Sequence, residues 1–70
     1  MSIRSEILKE DVLPALGLTV EEASIQLGVN IEYLSSILNE EIPITLEFAM
    51  KIESWLGVEN GGRAELWIDN

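Results

Sequence analysis

Apolar residues recur at helical spacing along most of this chain. In residues 3–13, IRSEILKEDVL, the pattern turns Ile7, Leu8 and Val12 inward and Glu6, Lys9, Glu10 and Asp11 toward water, which predicts an amphipathic helix. Ser2 or Ser5 is placed to cap it. Pro14 predicts a stop or kink, because proline has no N–H to give to the helix ladder. Leu13, Leu16 and Leu18 are expected to anchor the following connection to the core, with Gly17 at its bend.

The most organised stretch is 19–38, TVEEASIQLGVNIEYLSSIL. Thr19 with Glu22 three residues later spells a capping box, in which side chain and backbone satisfy each other at a helix start. Ala23, Ile25 and Leu27 supply the apolar contribution of this first helix, and Gly28 stops it by taking the left-handed conformation that costs other residues a Cβ clash. Val29 plugs the turn. Asn30 caps a second helix, where Leu34, Ile37 and Leu38 share one face. Helix, short glycine-containing turn and helix in that order make a helix-turn-helix signature, whose second helix enters the major groove in DNA-binding versions.

Beyond Leu38 the run Asn39-Glu40-Glu41-Ile42-Pro43-Ile44 reads as a loop, since Pro43 forbids helix continuation and biases Ile42 to extended backbone. Thr45 caps the next helix. Leu46, Ala49, Met50 and Glu53 form one stripe and Phe48, Ile52, Trp55 and Leu56 another, so this helix is expected to be central and mostly buried, ending at Gly57. Asn60-Gly61-Gly62 is the strongest turn signal, and residues 63–69 predict a last short helical segment carrying Leu66, Trp67 and Ile68. The expectation is one all-α domain over residues 1–70, built of five short helices with the motif at 19–38.

Composition narrows the chemistry. The chain has no Cys and no His, which removes disulfides, Cys/His zinc sites, thiol nucleophiles and imidazole catalysis. No acid–base pair stands beside a nucleophile, so a non-enzymatic protein without cofactor or metal is expected. Without a leading or spanning apolar run, no signal peptide or membrane segment is expected, and a cytoplasmic location is the default. The formal net charge is −9, with cations at Arg4, Lys9, Lys51 and Arg63, and the whole interval from Glu10 to Met50 is without one. DNA affinity draws heavily on Lys and Arg that neutralise phosphates, and the helix-turn-helix stretch lacks them.

The order of short signals resembles the HigA-type antidote proteins of the wider Xre and Cro–repressor class. The signals are EIL at 6–8, LGLT at 16–19, LGV at 27–29, SILN at 36–39, PIT at 43–45 and GGRAELWI at 61–68. They span nearly the whole chain, with about two extra residues near 58–61. The order and spacing carry the resemblance; no one signal is specific. The family usually continues for another turn or two past the position of Asn70. The resemblance implies a five-helix, lambda-repressor-like domain, a two-fold homodimer, operator DNA binding with repression of its own promoter, and neutralisation of an adjacent toxin protein.

The departures fall where DNA would be read. Ile31 stands where the family often has a polar or basic residue, Ser36 where it usually has an Arg-like or other polar one, and Val20 where the wider class commonly has Gln. Glu40, Glu41 and Ile42 stand where Gly and two basic residues are typical after Asn39. The remaining candidate DNA-contact residues are Asn30, Ile31, Glu32, Tyr33, Ser35, Ser36 and Asn39. Asn30, Ser35 and Ser36 can bond base edges or phosphates, Tyr33 a phosphate and Glu32 a cytosine amine, while Ile31 can meet a thymine methyl. The bland readings are a cap for Asn30, a solvated face for the serines and a solvated acidic loop for Glu40-Glu41. Trp55 and Trp67 read as core or dimer packing before nucleobase stacking, and Gly61-Gly62 as a turn. Leu66, Trp67 and Ile68 are the expected dimer surface. Two functions stay open: a DNA-binding antidote-like repressor, or an acidic protein-interaction module that keeps the fold and binds little or no DNA.

Overall fold

In the computed structural model, which describes residues 3–68, every regular element is helical. Helix α1 (Ile3–Ile7), a π-helical stretch (Leu8–Val12) and α2 (Leu13–Leu16) follow one another without a break. Then come α3 (Val20–Leu27), α4 (Ile31–Leu38), α5 (Leu46–Leu56), a 3-10 turn (Val58–Asn60) and α6 (Ala64–Trp67). Counting 3–16 as one interrupted helix gives the five expected, and the fold is all-α.

Pro14 does not end the first helix as expected. It sits in the opening turn of α2, where a missing N–H is tolerated, and the backbone before it widens. The Leu13 N–H reaches back five residues to the Leu8 carbonyl. The wider turn relieves the contact between the proline ring and the preceding carbonyls that would otherwise kink the helix. It also sets Leu8 and Leu13 on the same side, and both are buried. Ile7 is turned partly outward at 38% exposure, and Ser5 takes the inward place expected of it. Ser5 lies within α1 rather than at its start, and Ser2 lies outside the described residues.

Three helix ends close in one pattern. After α2, the Gly17 N–H bonds the Pro14 carbonyl and the Leu18 N–H the Leu13 carbonyl. After α3, Gly28 bonds Ile25 and Val29 bonds Ser24 in the same way. After α4, Glu40 bonds Ile37 and Glu41 bonds Ser36. This is the Schellman closure, which needs a left-handed residue at its corner. Gly17 and Gly28 meet that need at φ 68° and 74°; Glu40 meets it at φ 61° with a full side chain.

The core is assembled from one stripe per helix. Leu8 and Leu13 meet Ala23 and Leu27 of α3, Leu34, Ile37 and Leu38 of α4, Phe48, Ala49 and Ile52 of α5, and Ala64 and Trp67 of α6, with Ile44 sealing the loop before α5. In α3 the buried stripe runs through Val20, Ala23, Ser24 and Leu27, and Ile25 stands 73% exposed, contrary to expectation. Ser24 tolerates burial because its hydroxyl donates to the Glu21 carbonyl at 2.7 Å. Leu16 is 48% exposed, so Leu13 and Leu18 anchor the first connection without it. In α5 the stripe of Phe48 and Ile52 goes inward with Ala49, while Leu46 and Met50 face solvent at 57% and 56%.

The C-terminal part is held from α5. One Glu53 carboxylate oxygen accepts the Ala64 N–H at 2.8 Å, at the start of α6. Gly62 packs against the α5 terminus so closely that a Cβ there would lie 2.8 Å from the Gly57 carbonyl oxygen and 2.9 Å from the Leu56 Cβ. Trp67 buries its ring and donates its indole N–H to the Gly61 carbonyl at 2.8 Å. Among the described residues, no helix is long and apolar enough to cross a membrane.

Candidate functional site

The candidate residues gather at the start and along the flank of α4, and the way α3 and α4 are joined puts them there. Thr19 caps α3: its hydroxyl accepts the Glu22 N–H at 3.1 Å, and its own N–H donates to the Glu22 carboxylate at 2.9 Å. That N–H, and after it the Thr19 hydroxyl, hold the Glu22 carboxyl below its ordinary value, with desolvation opposing. Gly28, Val29 and Asn30 then turn the chain, and Asn30 caps α4 by accepting the Tyr33 N–H at 2.8 Å. Both caps and the glycine stop stand as the sequence indicates.

Buried Leu34, Ile37 and Leu38 fix the rotation of α4 about its axis. The opposite side therefore carries Asn30, Ile31 and Glu32, all exposed, with Ser35 and Ser36 at half exposure beside them and Asn39 exposed at the end. Ile31 is 41% exposed at the first position of α4. The N–H groups of Ile31 and Glu32 sit in the first turn, where no preceding carbonyl of the helix is available to them.

Several side chains are already engaged. The Asn30 side-chain oxygen is used in capping. The Ser36 hydroxyl donates to the Glu32 carbonyl at 3.0 Å. Tyr33, a candidate for a phosphate contact, turns its ring toward α5. It is half-buried, with its ring meeting Phe48 edge to face at 5.7 Å between centroids. The face is thus small and polar around one aliphatic residue, and its charges are the carboxylates of Glu32 and of exposed Glu40 and Glu41. No Lys or Arg occurs on α3, α4 or the residues between them.

The expected dimer surface is divided. Leu66 is 57% exposed, Trp67 belongs to the protein's own core, and Ile68 is half-buried against it. Arg4 reaches this region, its Nε donating to the Leu66 carbonyl at 2.7 Å. Glu40 and Glu41 are exposed, and no group of three or more acidic side chains among the described residues is arranged to hold a metal ion.

Sequence reasoning missed the surroundings of Trp55. This residue is half-buried, and its indole N–H donates to the Gln26 side-chain oxygen at 2.8 Å, tying α5 to α3 across a surface groove. Gln26 lies one residue from the core position Leu27, and nothing in its local pattern marks it as a partner for a tryptophan 29 positions away. No protein-family model, curated protein or solved structure matches this chain.

Proposed function

We propose that this protein is a small helix-turn-helix transcriptional regulator of the antidote type, with α4 as the helix that meets DNA. The observation that carries the reading is the α3–α4 pair itself: two eight-residue helices, each capped, closed by a glycine corner and rotated so that the start of α4 faces outward. That arrangement suits a recognition helix whose first residues touch base edges. Ile31 suits a thymine methyl, and Asn30 and Ser35 suit hydrogen bonding to bases or phosphates. The N–H groups of Ile31 and Glu32 at the positive end of the helix offer phosphate contacts that need no basic side chain. Dimerisation, which the resemblance implies, would draw on Leu66 from the C-terminal trio.

A second reading is favoured by one specific observation, the carboxylates of Glu32, Glu40 and Glu41 on a face without cations. They repel a phosphate backbone, and they suit a basic protein partner such as a ribonuclease toxin, with attraction that weakens as salt rises. A reporter fused to the region upstream of the protein's own gene separates the two. The regulator reading expects the reporter to fall when the chain is expressed and to recover with Ile31→Glu, while Leu46→Glu on the exposed side of α5 changes nothing. A reporter indifferent to the chain moves the reading to the protein-interaction module.

A further inference from the structure

A groove of about 660 Å³ opens between the first helical run, α3 and the end of α5. Its floor is apolar: Val12, Leu16, Leu18, Trp55 and Leu56. The Gln26 hydrogen bond holds the Trp55 indole against this floor. Polar atoms stand only at its margin. Gln26 gives its oxygen to Trp55, and the Asn60 amide donates to the Leu56 carbonyl at 3.0 Å, which leaves the Asn60 oxygen and the Asp11 carboxylate as acceptors. Gln26 and Trp55 also line a second depression of about 400 Å³, where Leu27 and Met50 are joined by Lys51. No residue of α4 lines either part.

The charge around this floor has one sign. No Lys or Arg lines the main groove. Asp11, which is exposed, is the one ionisable side chain that lines it. Glu22 is exposed one helical turn before Gln26, on the same side of α3. The whole chain carries −9. An apolar floor that is open to solvent, with the Asp11 carboxylate as the one ionisable group lining it on a chain of net charge −9, matches an amphipathic helix whose apolar side enters the groove and whose flanks carry Lys or Arg. A compact ligand would instead require enclosure over most of its surface.

We infer that this groove is a docking site for a cationic amphipathic helix of a partner protein, distinct from the face of α4. The probe is a Trp-free peptide of about 14 residues, four turns, with Leu on one side and Lys on the other. A control peptide keeps the Leu side and replaces Lys with Glu. The emission of Trp55 in the full chain reports binding, and Trp55→Phe identifies the signal. The Lys peptide is expected to bind saturably and shift the emission to the blue. Leu16→Ser is expected to weaken it about tenfold or more, by removing a leucine from the contact. Asp11→Asn is expected to weaken it about threefold at low salt and hardly at high salt. Leu46→Ser, outside the groove and somewhat more exposed than Leu16, leaves affinity unchanged; circular dichroism verifies that both serine variants are folded. Equal binding of the Glu peptide, or equal behaviour of Leu16→Ser and Leu46→Ser, overturns the inference. So does a dimer in sedimentation that Leu16→Ser disperses, since a second copy would then be the occupant.

Discussion

Glu40 is held at a corner that two other helices of this protein assign to glycine, and its replacement gives a sharp test of the backbone account. At φ 61° its Cβ crowds the following carbonyl, a strain of about 1–2 kcal/mol for an L-residue. Glu40→Gly removes that strain and gives back about 0.4–1 kcal/mol through the freer unfolded chain. The net expectation is a stabilisation of about 0.5–1 kcal/mol, a rise of about 2–8 °C in melting temperature for a domain of this size. The loss of a carboxylate from a chain of charge −9, and from the negative end of α4, also contributes. Glu40→Ala separates these effects. It removes the same side chain and charge but keeps the Cβ, so the Gly variant is expected to exceed the Ala variant by about 1 kcal/mol in urea unfolding. An Ala variant as stable as the Gly variant would refute the assignment of strain to this corner.

Four further outcomes follow from the same geometry. Thr19→Ala opens the capping box and is expected to cost about 1 kcal/mol in urea unfolding. Because the folded Glu22 carboxyl is held below its ordinary value of 4.5, its contribution is present above that pH and is lost as pH falls through the lowered folded value. Glu22→Gln should therefore flatten the rise of stability with pH in the acid range, and an unchanged slope would contradict the contact. Glu53→Ala removes the acceptor for the Ala64 N–H at the buried start of α6 and is expected to cost about 1–3 kcal/mol. In a Trp55→Phe background, Trp67 emission should shift to the red as α6 loosens; an unmoved spectrum would mean that α6 is held by packing alone. Gly62→Ala drives a Cβ into the Gly57 carbonyl and the Leu56 Cβ and should cost about 1–3 kcal/mol, which an unaltered urea midpoint would disprove.

Local chemistry was the legible part of the sequence. The caps at Thr19, Asn30 and Thr45 and the glycine corner at Gly28 stand where their residue types indicate, because each is satisfied within a few residues of itself. Ile25 was misread for a definable reason. Apolar identity at 23, 25 and 27 alternates with a strand's period, and helical spacing selects 20, 23, 24 and 27 instead, with Ser24 made tolerable by its own bond to Glu21. Leu46 and Met50 were assigned a stripe of α5 with Ala49 and Glu53; Ala49 is buried, but Leu46 and Met50 face solvent. The π stretch before Pro14 and the left-handed Glu40 were hidden because both depend on how tertiary packing holds the backbone. Of the candidate DNA face, the positions of Asn30, Ile31, Glu32 and Asn39 were legible from the caps and the buried stripe of α4. The edge contact of Tyr33 with Phe48 joins residues on different helices, and local spacing says nothing of it.

Whether α4 reads DNA with few phosphate contacts is decided by fluorescence anisotropy over a salt series. The target is labelled DNA from upstream of the protein's own gene, with a scrambled duplex of equal composition as control. Preferential binding of the native sequence that persists near ~150 mM salt is expected. Its log–log salt slope should be far shallower than the slope of about −0.9 per neutralised phosphate would give a basic repressor with many such contacts. Ile31→Glu, at an exposed first-turn position, should abolish the preference while leaving the fold intact. Equal affinity for the two duplexes, or no binding down to the lowest salt, would contradict the claim and leave the acidic face as a surface for proteins.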